Sequence, residues 1–286
     1  MKDGLIISFL SIVPKKPVAR LMGFQARLRL PRFAHRLLIR WFVWKYGVNL
    51  SECQGGIDDF KSLSDFFLRP LLPNVRPIDD DPMNWVSPVD GTVHMFGQIT
   101  NGRFKQSNEQ YGDVCELLGY EQNHPKVTPY LNGQYAIIYL SPKDYHRVHS
   151  AQAGKIISLD YRPGKLWPVF PAATRQISNL FDRNERLVFH QETVHGACVL
   201  AMIGAFGVGR MTTGLSSITT NTGGKASTQS GDWNVERAQE LGRFELGSTV
   251  ILLWPKTQIK WTMEPGQAIR LGRPIGEQIK QTPDDK

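Results

Sequence analysis

Beyond residue 130 the chain is cut into short β-type runs: Tyr135–Leu140, Lys155–Tyr161, Arg186–His190, Ala197–Ile203, Thr249–Trp254 and Gln258–Met263. Turns bearing Gly and Pro separate them, and most lack a helical period between them. That pattern confines the chain to an α+β class in which a mainly antiparallel β domain carries the bulk of the residues. With 286 residues, 41% of them hydrophobic, there is apolar surface for one large core or two small ones. Global disorder is thereby excluded. The Thr/Gly/Ser-rich segment from Thr212 to Gly231 reads as a flexible loop. Cys53, Cys115 and Cys198 are odd in number and widely spaced, which suits a reducing compartment better than a disulfide framework or a thiolate zinc cage.

The formal charge of +8 resembles a nucleic-acid signal until it is located along the chain. Residues 1–50 hold ten basic side chains against one acid, Asp3, so the remainder is close to neutral and nucleic-acid binding is not expected. After Pro31, Arg32, Arg36 and Arg40 form one helical stripe, and Leu37, Trp41 and Trp44, with Leu38 and Phe42, form the opposite one. A basic helix with aromatic residues on its apolar face suits the interface of an anionic membrane; a helix packed on the domain core is the competing explanation. The apolar stretch Gly4 to Val13 stops at Pro14-Lys15-Lys16, short of the roughly 20 residues that span a bilayer. Asp3 and the lack of a small-residue cleavage site also argue against a secretory signal. The expectation is a membrane-binding arm over 1–50, a catalytic domain over 51–286, and peripheral attachment on the cytoplasmic face of the cell's inner membrane. Within the second part, DDFKSLSDFFLRP predicts a short helix that ends at Pro70.

Three local features carry chemistry or mere geometry. Asp90-Gly91, in Ser87 to Val93, is a turn feeding a strand. His146 and His149, in SPKDYHRVHS, stand at i, i+3, which on a helical turn places both on one side as a metal pair or an acid/base pair. Gly247-Ser248 leads into the apolar run TVILLW.

Taken in order, PVDG with Asp90, the two histidines, Asn184-Glu185-Arg186 and Leu246-Gly247-Ser248-Thr249 resemble the membrane-bound phosphatidylserine decarboxylases of bacteria and mitochondria. FFLRPLLPNVRPI (Phe66 to Ile78), GAFGVGR (Gly204 to Arg210) and ELGRFELGSTV (Glu240 to Val250) extend the likeness over roughly residues 60–275. The resemblance implies a pyruvoyl-dependent carboxy-lyase that converts phosphatidylserine to phosphatidylethanolamine. Loss of CO2 leaves a carbanion at Cα that needs an electron sink; a pyruvoyl ketone provides it through a Schiff base with the substrate amine, and neither pyridoxal phosphate nor a metal is expected. In this family-derived reading His149 deprotonates Ser248, Asp90 orients and stabilises the imidazolium, and Ser248 attacks Gly247. Elimination and hydrolysis then leave chains 1–247 and 248–286, the second beginning with the pyruvoyl group made from Ser248. The two stay together as a heterodimer, and a higher homo-oligomer is compatible with the reading. His146 serves decarboxylation as acid/base. Since Asp90, His149 and Ser248 all follow residue 50, removing the arm is expected to spare self-cleavage.

The substrate is phosphatidylserine in an anionic membrane, and Arg69, Arg76, Lys143, Arg147 and Arg186 are candidates for its phosphate. Two rival readings remain: a metal-dependent hydrolase using His146, His149 and Asp90 or His195, and a non-enzymatic membrane scaffold. Both predict a single intact chain, and neither gives Leu246 to Thr249 a purpose.

Overall fold

A computed structural model describes residues 13–207, 210–245, 248–256 and 259–279. Leu246 and Gly247, the latter the expected scissile residue, lie outside them, as does most of the apolar stretch before Pro14.

Among the described residues six α-helices occupy Lys15–Arg27 (α1), Arg32–Tyr46 (α2), Leu63–Phe67 (α3), Val114–Leu118 (α4), Pro171–Gln176 (α5) and Leu180–Arg183 (α6). The strands, in chain order, begin with Asn84–Val86 (β1), Gly91–Gln98 (β2), Arg103–Lys105 (β3), Tyr111–Asp113 (β4), Gln134–Leu140 (β5) and Arg147–His149 (β6). Gly154–Arg162 (β7), Arg186–Thr193 (β8), Gly196–Ile203 (β9), Met211–Thr213 (β10) and Ser227–Val235 (β11) follow. The last are Glu240–Phe244 (β12), Ser248–Trp254 (β13), Ile259–Trp261 (β14), Ala268–Ile269 (β15) and Pro274–Gln278 (β16).

All six sequence-predicted runs contain strands, the last only over Ile259–Trp261, with Gln258 outside the described residues. Eight strands form one sheet in the order β11-β7-β8-β9-β13-β5-β2-β15, and every ladder in it is antiparallel. β13 lies between β9 and β5 with every residue buried, as expected of a continuous apolar run covered on both faces. Its register puts Ser248 opposite Leu140 and Thr249 opposite Tyr139. In a second small sheet, β10-β12-β6, strand β12 ends four residues before Ser248. Thr212 to Gly231 is not simply a loop: it contributes to β10 and begins β11, which pairs with β7 along the sheet edge. Threonine and serine there meet the ladder with small polar side chains, a fit that loop-like composition conceals.

α2 begins after Pro31 and ends at Gly47, whose φ of 69° is the left-handed conformation that closes a helix. His35, Ile39 and Phe42 are its buried stripe, and Ile39 and Phe42 join Val48, Phe60, Phe66 and Phe67 in a small second core. Phe33, Leu37 and Trp44 on another side remain 78%, 71% and 80% exposed. The helix thus both packs on the domain and presents an apolar face outward. α3 is the short helix expected before Pro70, capped by Ser62, which accepts from the Asp65 N–H at 3.1 Å.

Asn184-Glu185-Arg186 ties these layers together. Asn184 donates to the carbonyls of Trp167 (2.8 Å) and Gly204 (2.9 Å) and accepts from the Trp167 N–H at 2.8 Å. Glu185 accepts from Tyr161 Oη and the Asn221 N–H. Arg186 donates to the carbonyls of Glu116, Leu117, Asp182 and Asn184. Asn184→Ala leaves three buried backbone groups without their partner, and urea unfolding should show a loss of about 2–4 kcal/mol; Asn184→Asp should cost a comparable amount because it replaces a donor facing two carbonyls.

Candidate active site

β6 and the residues before it carry both histidines. The backbone here is extended, so the same-side helical placement does not apply: β12 needs β6 as its partner, and the ladder sets the conformation. The two rings accordingly meet different neighbours. His149 stacks with Tyr145 at 5.7 Å between centroids, whereas His146 meets Phe67 edge-on at 4.6 Å.

Each imidazole is held by a backbone carbonyl. His149 Nδ1 lies 2.7 Å from Ala238 O, and His146 Nδ1 lies 2.8 Å from Asp144 O. A carbonyl only accepts, so each Nδ1 carries the proton and each Nε2 keeps its lone pair. Both Nε2 atoms are buried without a hydrogen-bond partner among the described residues, and so is Ser248 Oγ. Burial pushes the pKa of His146 down to about 3 from 6.5. His149 is also lowered, by burial above all, against the opposing effects of the Ala238 carbonyl, Glu240 and Asp90. Two imidazoles lowered in pKa by burial and one hydroxyl are therefore buried and unpaired among the described residues. Such unpaired polar atoms cost about 1–3 kcal/mol each.

The route to Ser248 runs along β12. Its last residue, Phe244, donates to His146 O at 3.0 Å, and four residues later Ser248 opens β13 at 0% exposure. On the other side, the His149 N–H donates to Pro88 O at 2.9 Å, joining β6 to the turn that carries Asp90. Gly91 follows because a Cβ there would lie 2.5 Å from Tyr139 O on β5.

Asp90 does not make the orienting hydrogen bond expected of it. Its carboxylate accepts from Arg76 Nε (2.9 and 3.1 Å), Arg76 Nη2 (2.5 Å) and the Leu271 N–H (2.9 Å). Arg76 also donates to Glu52 at 2.6 Å, and Arg270 holds the other Glu52 oxygen at the same distance. The orienting role at His149 falls to Ala238, a non-glycine residue at φ 60°, in the left-handed region that an alanine occupies only under local strain. A carbonyl contact of that kind depends on backbone path and left no residue-type signal to read. Phe67 lay within a recognised motif without an assigned role, and Arg76, a candidate for the substrate phosphate, holds Asp90 instead.

Two cavities adjoin these groups. One, of about 540 Å³, is apolar and lined by Met22, Leu38, Trp41, Phe67, Phe170 and Phe206 among others. Phe67 is thus both wall of the cavity and neighbour of His146; Tyr139, the β5 residue opposite Thr249, also lines it. The other, of about 250 Å³, is polar and bordered by Glu52, Arg69, Arg76, Asp90, Lys143 and Arg270. Of the five cations considered for a phosphate, Arg69, Arg76, Arg147 and Arg186 already serve internal acceptors. Lys143 is exposed. His195 sits apart, its Nε2 donating to Pro82 O, and among the described residues no group of three or more His, Cys, Asp or Glu side chains is arranged to hold a metal.

The phosphatidylserine decarboxylase family profile matches residues 63–277. The phosphatidylserine decarboxylase proenzyme of Anaeromyxobacter sp. (strain K) is 40% identical, covering 96% of this chain and 99% of its own. The proenzymes of Myxococcus xanthus (strain DK1622) and Marinobacter nauticus are 36% and 37% identical, over 96% and 97% of this chain and 99% of each relative.

With both histidines held neutral by burial, neither 13Cε1 resonance should titrate near pH 6.5 in the labelled protein. The shift of His146 should stay flat down to at least pH 5, and an inflection near 6.5 for either ring would show that it is solvated rather than buried.

Proposed function

The chain belongs to the phosphatidylserine decarboxylase family, and from that premise we propose that it is a precursor whose Ser248 cuts the bond to Gly247 and becomes the pyruvoyl group of the mature enzyme. The observation that carries this is the hydroxyl of Ser248, buried at the head of the central strand and, like Nε2 of the buried His149, without a hydrogen-bond partner among the described residues. His149 Nε2 takes the Ser248 proton, and the hydroxyl oxygen adds to the Gly247 carbonyl, so that the acyl group passes from nitrogen to oxygen. Loss of the Gly247 carboxylate by β-elimination, then addition of water and release of ammonia, leaves the new carbonyl at the start of 248–286. The Ala238 carbonyl keeps His149 in the reactive tautomer, while the negative field of Asp90 favours the imidazolium that forms.

A buried and otherwise unused serine fits such a group, which supplies the electron sink for the carbanion left by departing CO2. His146 faces the second reaction. Burial keeps it neutral, and the negative charge of a bound phospholipid opposes that effect, so it takes up a proton with the substrate and returns one to Cα. The apolar cavity beside Phe67 suits acyl-chain segments, and the Phe67–His146 contact supports a head group directed towards His146. After cleavage β13 keeps its ladders to β5 and β9, which supports an associated pair of chains 1–247 and 248–286.

The arm supports attachment to the surface of the membrane. Phe33, Leu37, Trp41 and Trp44 are exposed on one side of α2, with Arg32 and Arg40 beside them. No described helix is long and apolar enough to cross a bilayer. The proposed place is the cytoplasmic face of the inner membrane, where phosphatidylserine and anionic lipids are met together.

Ser248→Ala should remain one chain and lack decarboxylase activity, as read by intact mass and CO2 release; a processed, active variant would refute the assignment. His149→Ala should cut at no more than about a hundredth of the normal rate, whereas His146→Ala should still yield both chains but turn over about 10²–10⁴-fold more slowly per titrated carbonyl. For the arm, Trp41→Ser with Trp44→Ser should weaken binding to anionic vesicles at least about tenfold in a flotation assay. Unchanged flotation would show that α2 serves packing alone.

A further inference from the structure

α1 reaches the chain immediately before the bond to be cut. Arg27, its last residue, donates from Nη1 to Glu245 Oε2 at 2.5 Å. Arg210 Nη1 stands 4.0 Å from the other Glu245 oxygen, and the Glu245 N–H donates to Arg210 O at 3.0 Å. The Glu245 side chain is only 10% exposed, against 37% for that of Arg27. Seven residues earlier, hence on the same helical face, Arg20 Nε donates to Asn221 O at 3.0 Å. α1 is therefore pinned at both ends of one stripe to the segments that precede β13.

We propose that Arg27 and Glu245 clamp the N-terminal side of the scissile bond, making Arg27 a positioning residue for self-cleavage and the arm a working part of maturation. This rests on the maturation reading above. Attack by Ser248 requires its oxygen and the Gly247 carbonyl carbon to reside about 3–3.5 Å apart in the right direction. The downstream side of the bond is fixed, because Ser248 is already in the β13 ladder. On the upstream side Glu245 stands only two residues before Gly247. Its ion pair and its backbone bond to Arg210 are the restraints nearest the cut on that side among the described residues. Without Arg27 a largely buried carboxylate loses its close cation and is drawn towards water, and the segment attached to it follows. The attacking geometry is then populated less often, although hydroxyl and base are untouched. This reverses the expectation that the arm is irrelevant to cleavage.

The test is a pulse-chase of the full-length chain made in a cell-free system with detergent micelles, measuring the half-time of conversion to the two products. Arg27→Ala and Glu245→Gln should each slow conversion by on the order of five- to tenfold. The double variant should be no slower than the slower single, since both remove one interaction, and Arg27→Lys should recover most of the rate. Wild-type rates in both single variants overturn the clamp. So does a double variant whose delay is the product of the two single delays, which would mean independent effects. The same substitutions placed on Ser248→Ala, which stays whole, report folding by thermal melting; a lost transition there assigns the delay to stability and also overturns the clamp. A wild-type chain that never converts refutes the maturation reading itself, and the clamp with it.

Discussion

The central strand β13 is the constraint on which the rest of the molecule depends. It is hydrogen-bonded on both sides and buried along its whole length, so its position tolerates little adjustment. Ser248 inherits that rigidity as the first residue of the strand. A nucleophile on a flexible loop would have to be ordered for each encounter with its target; one set in a ladder has that ordering supplied by the fold. The same ladders explain why a cut at this point need not release the C-terminal piece.

Around that fixed hydroxyl, the polar groups divide into those that are satisfied and those that are left over. Arg76 takes up Asp90 and Glu52 in a closed charge network, and Asn184, Glu185 and Arg186 consume the backbone groups of several loops. Such networks offset their own desolvation and rigidify the region. The Nε2 atoms of His146 and His149 and Ser248 Oγ are the contrast, each buried without a partner among the described residues. Burial keeps both rings neutral, which makes His149 competent as a base without help from pH.

The N-terminal helices have two surfaces with separate obligations. Ile39 and Phe42 lock α2 onto the aromatic cluster around Phe66, while Trp44 and Leu37 face away from it. A wide apolar band therefore does not choose between core packing and an outward role, since one helix of this length has room for both. α1 extends the same division, lining the apolar cavity with Met22 and reaching Glu245 with Arg27.

What the amino-acid sequence determined by itself is the antiparallel β character, the six principal strands and the helix after Pro31. These are local: side-chain period, turn residues and motif order are written within a few positions. The two strands flanking Thr212 to Gly231 were hidden because polar β edges look like loops, and the extended setting of the histidines was hidden because β12, almost a hundred residues away, imposes it. Tertiary structure alone decided that Ala238, rather than Asp90, orients His149, that Arg76 holds Asp90, and that Arg27 meets Glu245 across 218 residues. Each of these contacts depends on where a backbone carbonyl or a distant charge arrives after the sheets have packed, and spacing along a chain carries no record of that arrival.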